Sequence, residues 1–359
     1  MTTNLSEIRI EAVRASRLPD VDLANVAFSS VFSDHMLVAE YRDGAWCQAT
    51  IRAYGPLALA PSISAIQYAV SVFEGLKAHR MPTGEVALFR PRENARRFNR
   101  SAFRLAMPEV PESFFLEGLR RLVRLDQQWV PAGDAGALYV RPCYFSIDES
   151  IRPKPAERYL FVIFTFPFGV YFPTPVDVLV TERYVRAFSG GTGDVKAAGN
   201  YAAALLADKE ARDAGLGTVL WLDALERRYV EECGVMNVFF VLADEGGRRV
   251  VTPELSGTIL PGVTRDSILT LLRVMGVPAE ERRVAIDEVL AAHGQGTLLE
   301  CFGTGTAATL SHVRCIRYRD KDYELPPIET RTIGPAVRDH LIAIATGRVP
   351  DRHGWLERV

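Results

Sequence analysis

Near the middle of the 359-residue chain, three prolines, one glycine and three aromatic residues crowd into the nine positions from Pro167 to Pro175. Proline has no backbone N–H to give to a ladder and is excluded from the middle of a sheet. Strand-rich sequence lies on both sides, so one continuous sheet cannot run through this point. Two domains are expected, 1–168 and 177–359, joined by a linker over 169–176, with residues 1–25 as a loosely attached arm.

Before the linker, the pattern predicts a hairpin with strands over 36–41 and 45–51 around the turn Arg42-Asp43-Gly44. A helical block over 63–76 and a strand over 85–89 follow, then helices over 91–107 and 112–130. In the second helix Phe115, Leu119, Leu122 and Val123 recur at helical spacing. Strands over 137–145 and 159–166 flank a polar loop. Beyond the linker, short strands (219–222, 237–242, 297–302) alternate with helices (201–214, 263–275). The class is mixed α/β or α+β.

Lys and Arg total 42 against 44 Asp and Glu, a net charge of −2, so nothing draws the whole chain to nucleic acid or to an anionic membrane. No apolar run approaches the ~20 residues of a membrane span. The first 20 residues mix both charge signs and lack an apolar core, so no signal peptide is expected. Five scattered cysteines without CxxC spacing fit free thiols in a reducing cytoplasm better than a disulfide framework or a zinc site. The six histidines show no metal-ligand spacing, and no G-x-S-x-G elbow is present. An enzyme acting on small molecules without a metal is the expectation.

The segment Ser189-Gly-Gly-Thr-Gly-Asp-Val-Lys196-Ala-Ala-Gly-Asn-Tyr201 is the most unusual in the chain. It is neither G-x-G-x-x-G nor a Walker A loop. Neighbours this small let a ligand reach the Lys196 amine. A lysine sheltered from water loses basicity, because desolvation disfavours the ammonium, and can then form a Schiff base with a carbonyl. A glycine-rich turn with a solvated lysine at its tip is the competing reading. Two other turns suit an anion: Gly257 to Asp266, which opens a helix, and Gly303-Thr-Gly-Thr306-Ala307, whose flexible backbone resembles an anion nest. Arg90 ends a strand and could add charge. Glu231-Glu232 could present one buried carboxylate, although an acidic pair between strands is more often exposed. Each feature alone is weak. Together they supply a Schiff-base lysine, a carboxylate for a ring nitrogen, and an arginine with two donor turns for a phosphate, which is what pyridoxal phosphate requires.

GGTGDVKAAGNY, with EECGVMN further on, resembles the fold-type IV pyridoxal-phosphate enzymes and, within them, the branched-chain amino acid aminotransferases. The similarity runs in order through VFSDHM (31–36), VFEGLKAHR (72–80), LFRPREN (88–94), YVRP (139–142), GVYFP (169–173), ILPGVTR (259–265) and FGTGTAA (302–308). The resemblance implies an N-terminal α/β domain, a C-terminal pseudo-barrel domain with the active site between them, pyridoxal 5'-phosphate as cofactor, and a homodimer. A partner's loop would close each pocket, here the segment 146–155. It implies Lys196 as the catalytic and cofactor-bearing lysine and Glu232 as the partner of the pyridine nitrogen. Arg90, Val263, Thr264 and Thr306 match the phosphate cup, and Tyr201 the partner of the phenolic oxygen. Phe28, Tyr68, Phe73, Tyr139 and Tyr171 match an aromatic cage for an aliphatic side chain, and Ala307 the backbone that receives the α-carboxylate. Plain core packing is the competing reading for these aromatics.

Arg141, two residues after Tyr139 on a strand, shares its face. The apolar walls would take leucine, isoleucine or valine, and Arg141 with tyrosine hydroxyls the second carboxylate of glutamate. Two departures stand out. Ala308 and Ser311 replace the CxxC of mammalian relatives, and Val235 replaces a threonine near the cofactor. D-amino acid aminotransferases and aminodeoxychorismate lyases share the cofactor set and are the nearest rival reading. A non-catalytic protein that binds pyridoxal phosphate or phosphate is a rival of another class, against which the retention of both Lys196 and Glu232 argues.

Overall fold

The computed structural model describes residues 7–23, 25–133, 136–169 and 174–359. It divides into two units, one formed by 1–171, 196–199 and 343–359, the other by 172–195 and 200–342.

The first unit is built on a ten-stranded sheet. At its centre two ten-residue strands, Ala137–Ser146 and Tyr159–Phe168, pair antiparallel along their whole length. The run YLFVIFTFPF is apolar on both faces because both faces are covered. Helices Pro91–Arg104 and Glu112–Leu125 pack on the sheet through Phe98, which meets Tyr144, Phe115, which meets Phe161, and Phe114, which meets Trp46, with Leu119 and Leu122 in the same core. The first helix starts where proline takes the first turn and ends near Arg104. It buries two stripes rather than one: Ala95, Phe98 and Ala102 face the core, and Asn94, Arg97 and Ser101 form a buried polar row beside them.

Three expectations are corrected in this unit. The described part of the arm is not loose. Arg9–Ile10 pairs with Thr50–Ala53, and the Val13 N–H donates to His35 Nε2 at 3.0 Å while His35 Nδ1 meets Asp126 at 2.6 Å. Ser16 and the Arg17 N–H both bond the buried Asp34. The helix expected over 63–76 is only Ser64–Tyr68. Ala69 takes a left-handed conformation (φ 52°), and the chain continues as strands Ser71–Phe73 and Leu76–Arg80. Finally, 343–359 does not belong with the second domain, because strand Leu356–Arg358 pairs with Val86–Phe89. Residues 170–173 of the expected linker lie outside the described residues.

The second unit is a nine-stranded mixed sheet. Val230–Cys233 pairs with Thr218–Leu222 on one side and with Met236–Asp244 on the other. This closes a circuit of six strands through Val176–Thr181, Thr309–Tyr318 and Leu298–Gly305, the partial barrel of the expected fold class. Val178, Leu220, Val238, Phe240, Cys301 and Val313 belong to its core. Among the described residues, no helix is long and apolar enough to cross a membrane.

Candidate active site

In the first unit, Lys196 sits on a four-residue piece that behaves as an extra edge strand. Its carbonyl accepts from the Phe73 N–H at 3.2 Å, the Ala198 N–H donates to the Ser71 carbonyl at 2.9 Å, and Val72 bridges Ala197. The Lys196 N–H donates to Ser101 Oγ at 3.0 Å, so the polar row of the first helix also holds it. The lysine Nζ lies 4.7 Å from the centre of the Phe73 ring.

Beside it, Glu74 is wholly buried. Arg97 clamps its carboxylate with two bonds, 2.7 and 2.9 Å, and Asn94 Nδ2 adds a third at 2.7 Å. Burial would push this carboxyl up, but the Arg97 charge and hydrogen bonds, with Lys196 adding to them, hold it below the ordinary carboxylate range. Sequence reasoning missed Glu74, Asn94, Arg97 and Ser101. Polar residues at i, i+3 and i+7 directly beside an apolar stripe were the signal that could have found three of them.

The expected cage is partly assembled. Phe28 packs edge-on against Tyr139 (5.4 Å), Phe166 (5.0 Å) and Phe168 (5.3 Å), and Tyr139 stacks on Phe166 at 4.9 Å. The Arg141 guanidinium lies 4.8 Å from the Phe73 ring and 5.3 Å from that of Tyr139, and donates to the Tyr139 hydroxyl at 3.4 Å. Phe28, Phe73, Tyr139 and Arg141 therefore form one group. Tyr68 is not in it among the contacts of the described residues: it is 44 % exposed, and its hydroxyl donates to the Ile151 carbonyl. Tyr171 lies outside the described residues. Next to the group, burial pulls the Lys77 ammonium down to about 7, and its Nζ lies 5.1 Å from the Phe168 ring. Arg90 caps the first helix in a left-handed conformation.

In the second unit, Glu232 occupies a strand whose four residues are all buried. Side chains alternate along a strand, so Glu231 and Glu232 face opposite ways. Glu232 accepts from the Leu260 N–H at 2.7 Å and pairs with Arg186 Nε at 3.2 Å. Arg186 also donates to the carbonyls of Gly193 (2.8 Å) and Thr258. A Cβ on Gly193 would stand 2.3 Å from Ala187 Cβ and 2.4 Å from the Thr258 oxygen, so only glycine admits this approach. Arg186 thus ties the loop before Lys196 to the carboxylate and to the turn that leads into the next helix, a role without a sequence signal. Asn200 staples the same loop through Thr192 and the Val195 carbonyl. Glu231 bonds Thr258 instead, and burial raises its carboxyl.

The two donor turns differ. Gly262 precedes the helix Val263–Val274, whose first turn carries Thr264 and aims N–H groups out of its N-terminal end. By contrast, Gly303 and Gly305 belong to strand Leu298–Gly305. The expected flexible nest is a tight hairpin, with Gly305 opposite Thr309 and Thr306-Ala307-Ala308 at its tip. Tyr201 lies in the short helix Gly199–Ala202. Among the described residues no group of three His, Cys, Asp or Glu could hold a metal ion.

The second unit carries a buried carboxylate on its barrel, and the first holds a lysine pinned as an edge strand. The class IV amino-transferase family profile matches residues 71–316, and the chain belongs to that family. It is 43 % identical over 342 residues to the branched-chain-amino-acid aminotransferase of Mycolicibacterium smegmatis (strain ATCC 700084 / mc(2)155), covering 94 % of this chain and 93 % of that one. The branched-chain aminotransferase of Thermoproteus uzoniensis, solved with norvaline, shares the fold with a TM-score of 0.73 at 23 % identity, over 90 % of this chain and 99 % of that one. The T.th. branched-chain amino acid aminotransferase, complexed with N-(5'-phosphopyridoxyl)-L-glutamate, aligns with a TM-score of 0.67 at 27 % identity, over 89 % and 97 % of the two chains. The chain is an enzyme of branched-chain amino acid transamination.

Proposed function

We propose that the enzyme uses pyridoxal 5'-phosphate to move the amino group of L-leucine, L-isoleucine or L-valine to 2-oxoglutarate, giving the branched-chain 2-oxo acid and L-glutamate in two alternating half-reactions. The observation that carries this reading is Glu232: a carboxylate on a buried strand, with Arg186 beside it, can pair with a protonated ring nitrogen. The phosphopyridoxyl-glutamate complex of the T.th. enzyme supports it. When bound, the cofactor supplies an electron sink that makes the substrate's Cα–H acidic.

The chain's own residues would do the rest. The Lys196 amine would carry the cofactor and, once released by substrate, move the proton at Cα. Glu232 would keep the ring nitrogen protonated, and Tyr201 would hold the phenolic oxygen. Arg90, Thr306 and the first turn at Val263 and Thr264 would hold the phosphate. Phe28, Phe73 and Tyr139 would enclose the aliphatic side chain and exclude water. Arg141 would receive the distal carboxylate of glutamate, and the backbone at Ala307 the α-carboxylate.

A second copy of the chain would cover segment 146–155 and helix Ser64–Tyr68, where Ile66 and Ile151 are exposed. The five unpaired cysteines suit a reducing cytoplasm.

The test is the visible absorption of the purified protein. A yellow band that fades with L-leucine and returns with 2-oxoglutarate is expected, with no change on adding D-leucine. Bleaching by the D-isomer would move the enzyme to the D-amino acid branch.

The pocket makes a second expectation. A Cβ on Gly75 would fall 1.9 Å from the Tyr139 hydroxyl. Gly75→Ala should therefore cost about 1–3 kcal/mol by overpacking and raise KM for L-leucine as Tyr139 is displaced. Thermal unfolding and steady-state kinetics check both. Unchanged kinetics would take Tyr139 out of the pocket.

A further inference from the structure

We infer that Trp355, close to the C-terminal end of the sequence, is a positioning residue that holds Arg90 ready for the phosphate of the cofactor. This rests on the assignment of Arg90 to that phosphate.

Arg90 is held in an unfavourable backbone conformation. It has φ 49°, in the left-handed region that residues with a Cβ seldom enter, and it precedes Pro91, which further limits the conformations open to it. Something must over-determine such a residue. Here one residue acts on both its backbone and its side chain. The Arg90 N–H donates to the Trp355 carbonyl at 2.7 Å, and the guanidinium carbon lies 5.1 Å from the centre of the indole ring.

Trp355 is itself built in. It is 8 % exposed, Phe89 meets it edge-on at 5.6 Å, and His353 stacks on it at 4.4 Å. Asp351 accepts from the N–H groups of His353 (3.2 Å) and Leu356 (2.8 Å), and Leu356 pairs with Phe89, the residue before Arg90. The tail therefore folds back as a bracket around one arginine. The choice of an aromatic partner matters chemically. A carboxylate in this place would use the N–H edge of the guanidinium and cancel its charge. An aromatic face engages the π side without neutralising the charge.

The experiment titrates the full-length apoenzyme with pyridoxal 5'-phosphate and, separately, with pyridoxal, which lacks the phosphate. Parent, Trp355→Ala, Trp355→Phe, Trp355→Leu and Arg90→Gln proteins are compared, with thermal unfolding of each apo form alongside. Trp355→Ala should weaken pyridoxal phosphate about 10-fold, the range of a desolvated cation–π contact, and leave pyridoxal unchanged. Trp355→Phe should restore most of the loss. Trp355→Leu, which keeps bulk without a π face, should not, and it carries the same comparison if the alanine variant does not fold. Equal weakening of both ligands, or none, in Trp355→Ala and Trp355→Leu overturns the inference while a selective loss in Arg90→Gln leaves the phosphate assignment standing. If Arg90→Gln shows no selective loss either, the phosphate assignment falls and the inference with it.

Discussion

Lys196→Ala will slow the conversion of L-leucine by roughly 10⁴-fold or more, because it removes both the nucleophile and the group that moves the proton. The yellow band with pyridoxal phosphate should disappear in the same protein. The backbone of Lys196 and its neighbours is held by bonds to Phe73 and Ser71 and by Ser101, so truncating the side chain leaves that edge strand in place. The variant should then unfold as the parent does, and a small primary amine added to the solution should restore part of the rate. Rescue separates lost chemistry from lost structure. Lys77 is the control: burial pulls its amine down to about 7, yet it lies against the Phe168 ring. If Lys196→Ala kept the parent's colour and rate, Lys196 would lose its role.

Glu74→Ala will be strongly destabilising. It leaves the Arg97 guanidinium, itself almost fully buried, without its counter-charge, and breaking a buried pair from one side costs about 3–5 kcal/mol. Asn94 Nδ2 and the Gly75 N–H each lose a bond to the same carboxylate. Equilibrium unfolding by urea at neutral pH measures the loss.

The pH dependence has a definite sign. Burial works against the charged form of Glu74, but Arg97 outweighs it and the folded-state pKa is lowered from 4.5. A depressed carboxyl contributes stability that is complete above its unfolded value and lost as pH falls through its folded value. The gap between parent and Glu74→Ala should thus be flat from neutral pH down to about 4.5 and close below it. A gap that widened in acid would mean that the pair is not ionised in the folded protein.

Local pattern made much of the fold legible. The apolar runs 137–145 and 159–166, the proline at the head of the first helix, and the helical spacing through Phe115 and Val123 each report on their own few residues. The misread elements depend on partners far away in sequence. Nothing within 63–76 says that Ala69 turns left-handed so that Ser71–Phe73 can pair with the strand ending at Ser146. Nothing in the tail says that Leu356 belongs beside Phe89.

The candidate site divides in the same way. Lys196 stands out through its small neighbours, whereas the pair Glu231-Glu232 reads equally as an exposed acidic turn, and only the family resemblance singles out Glu232. Glu74 with Arg97, 23 positions apart, and Arg186 with Glu232, 46 apart, are pairs that only the folded chain brings together.

The closed circuit of six strands has a consequence for those adjacent acids. In an open sheet a strand can slide by one residue, and such a slip would turn Glu231 to where Glu232 now faces. Val230–Cys233 has a neighbour on each side, pairing Leu220 with Cys233 and Glu232 with Asn237. To slide, it would have to break both ladders at once. The ring therefore acts as a ratchet without a free tooth, and two chemically identical side chains, one beside Arg186 and one beside Thr258, cannot trade places while the barrel stays shut.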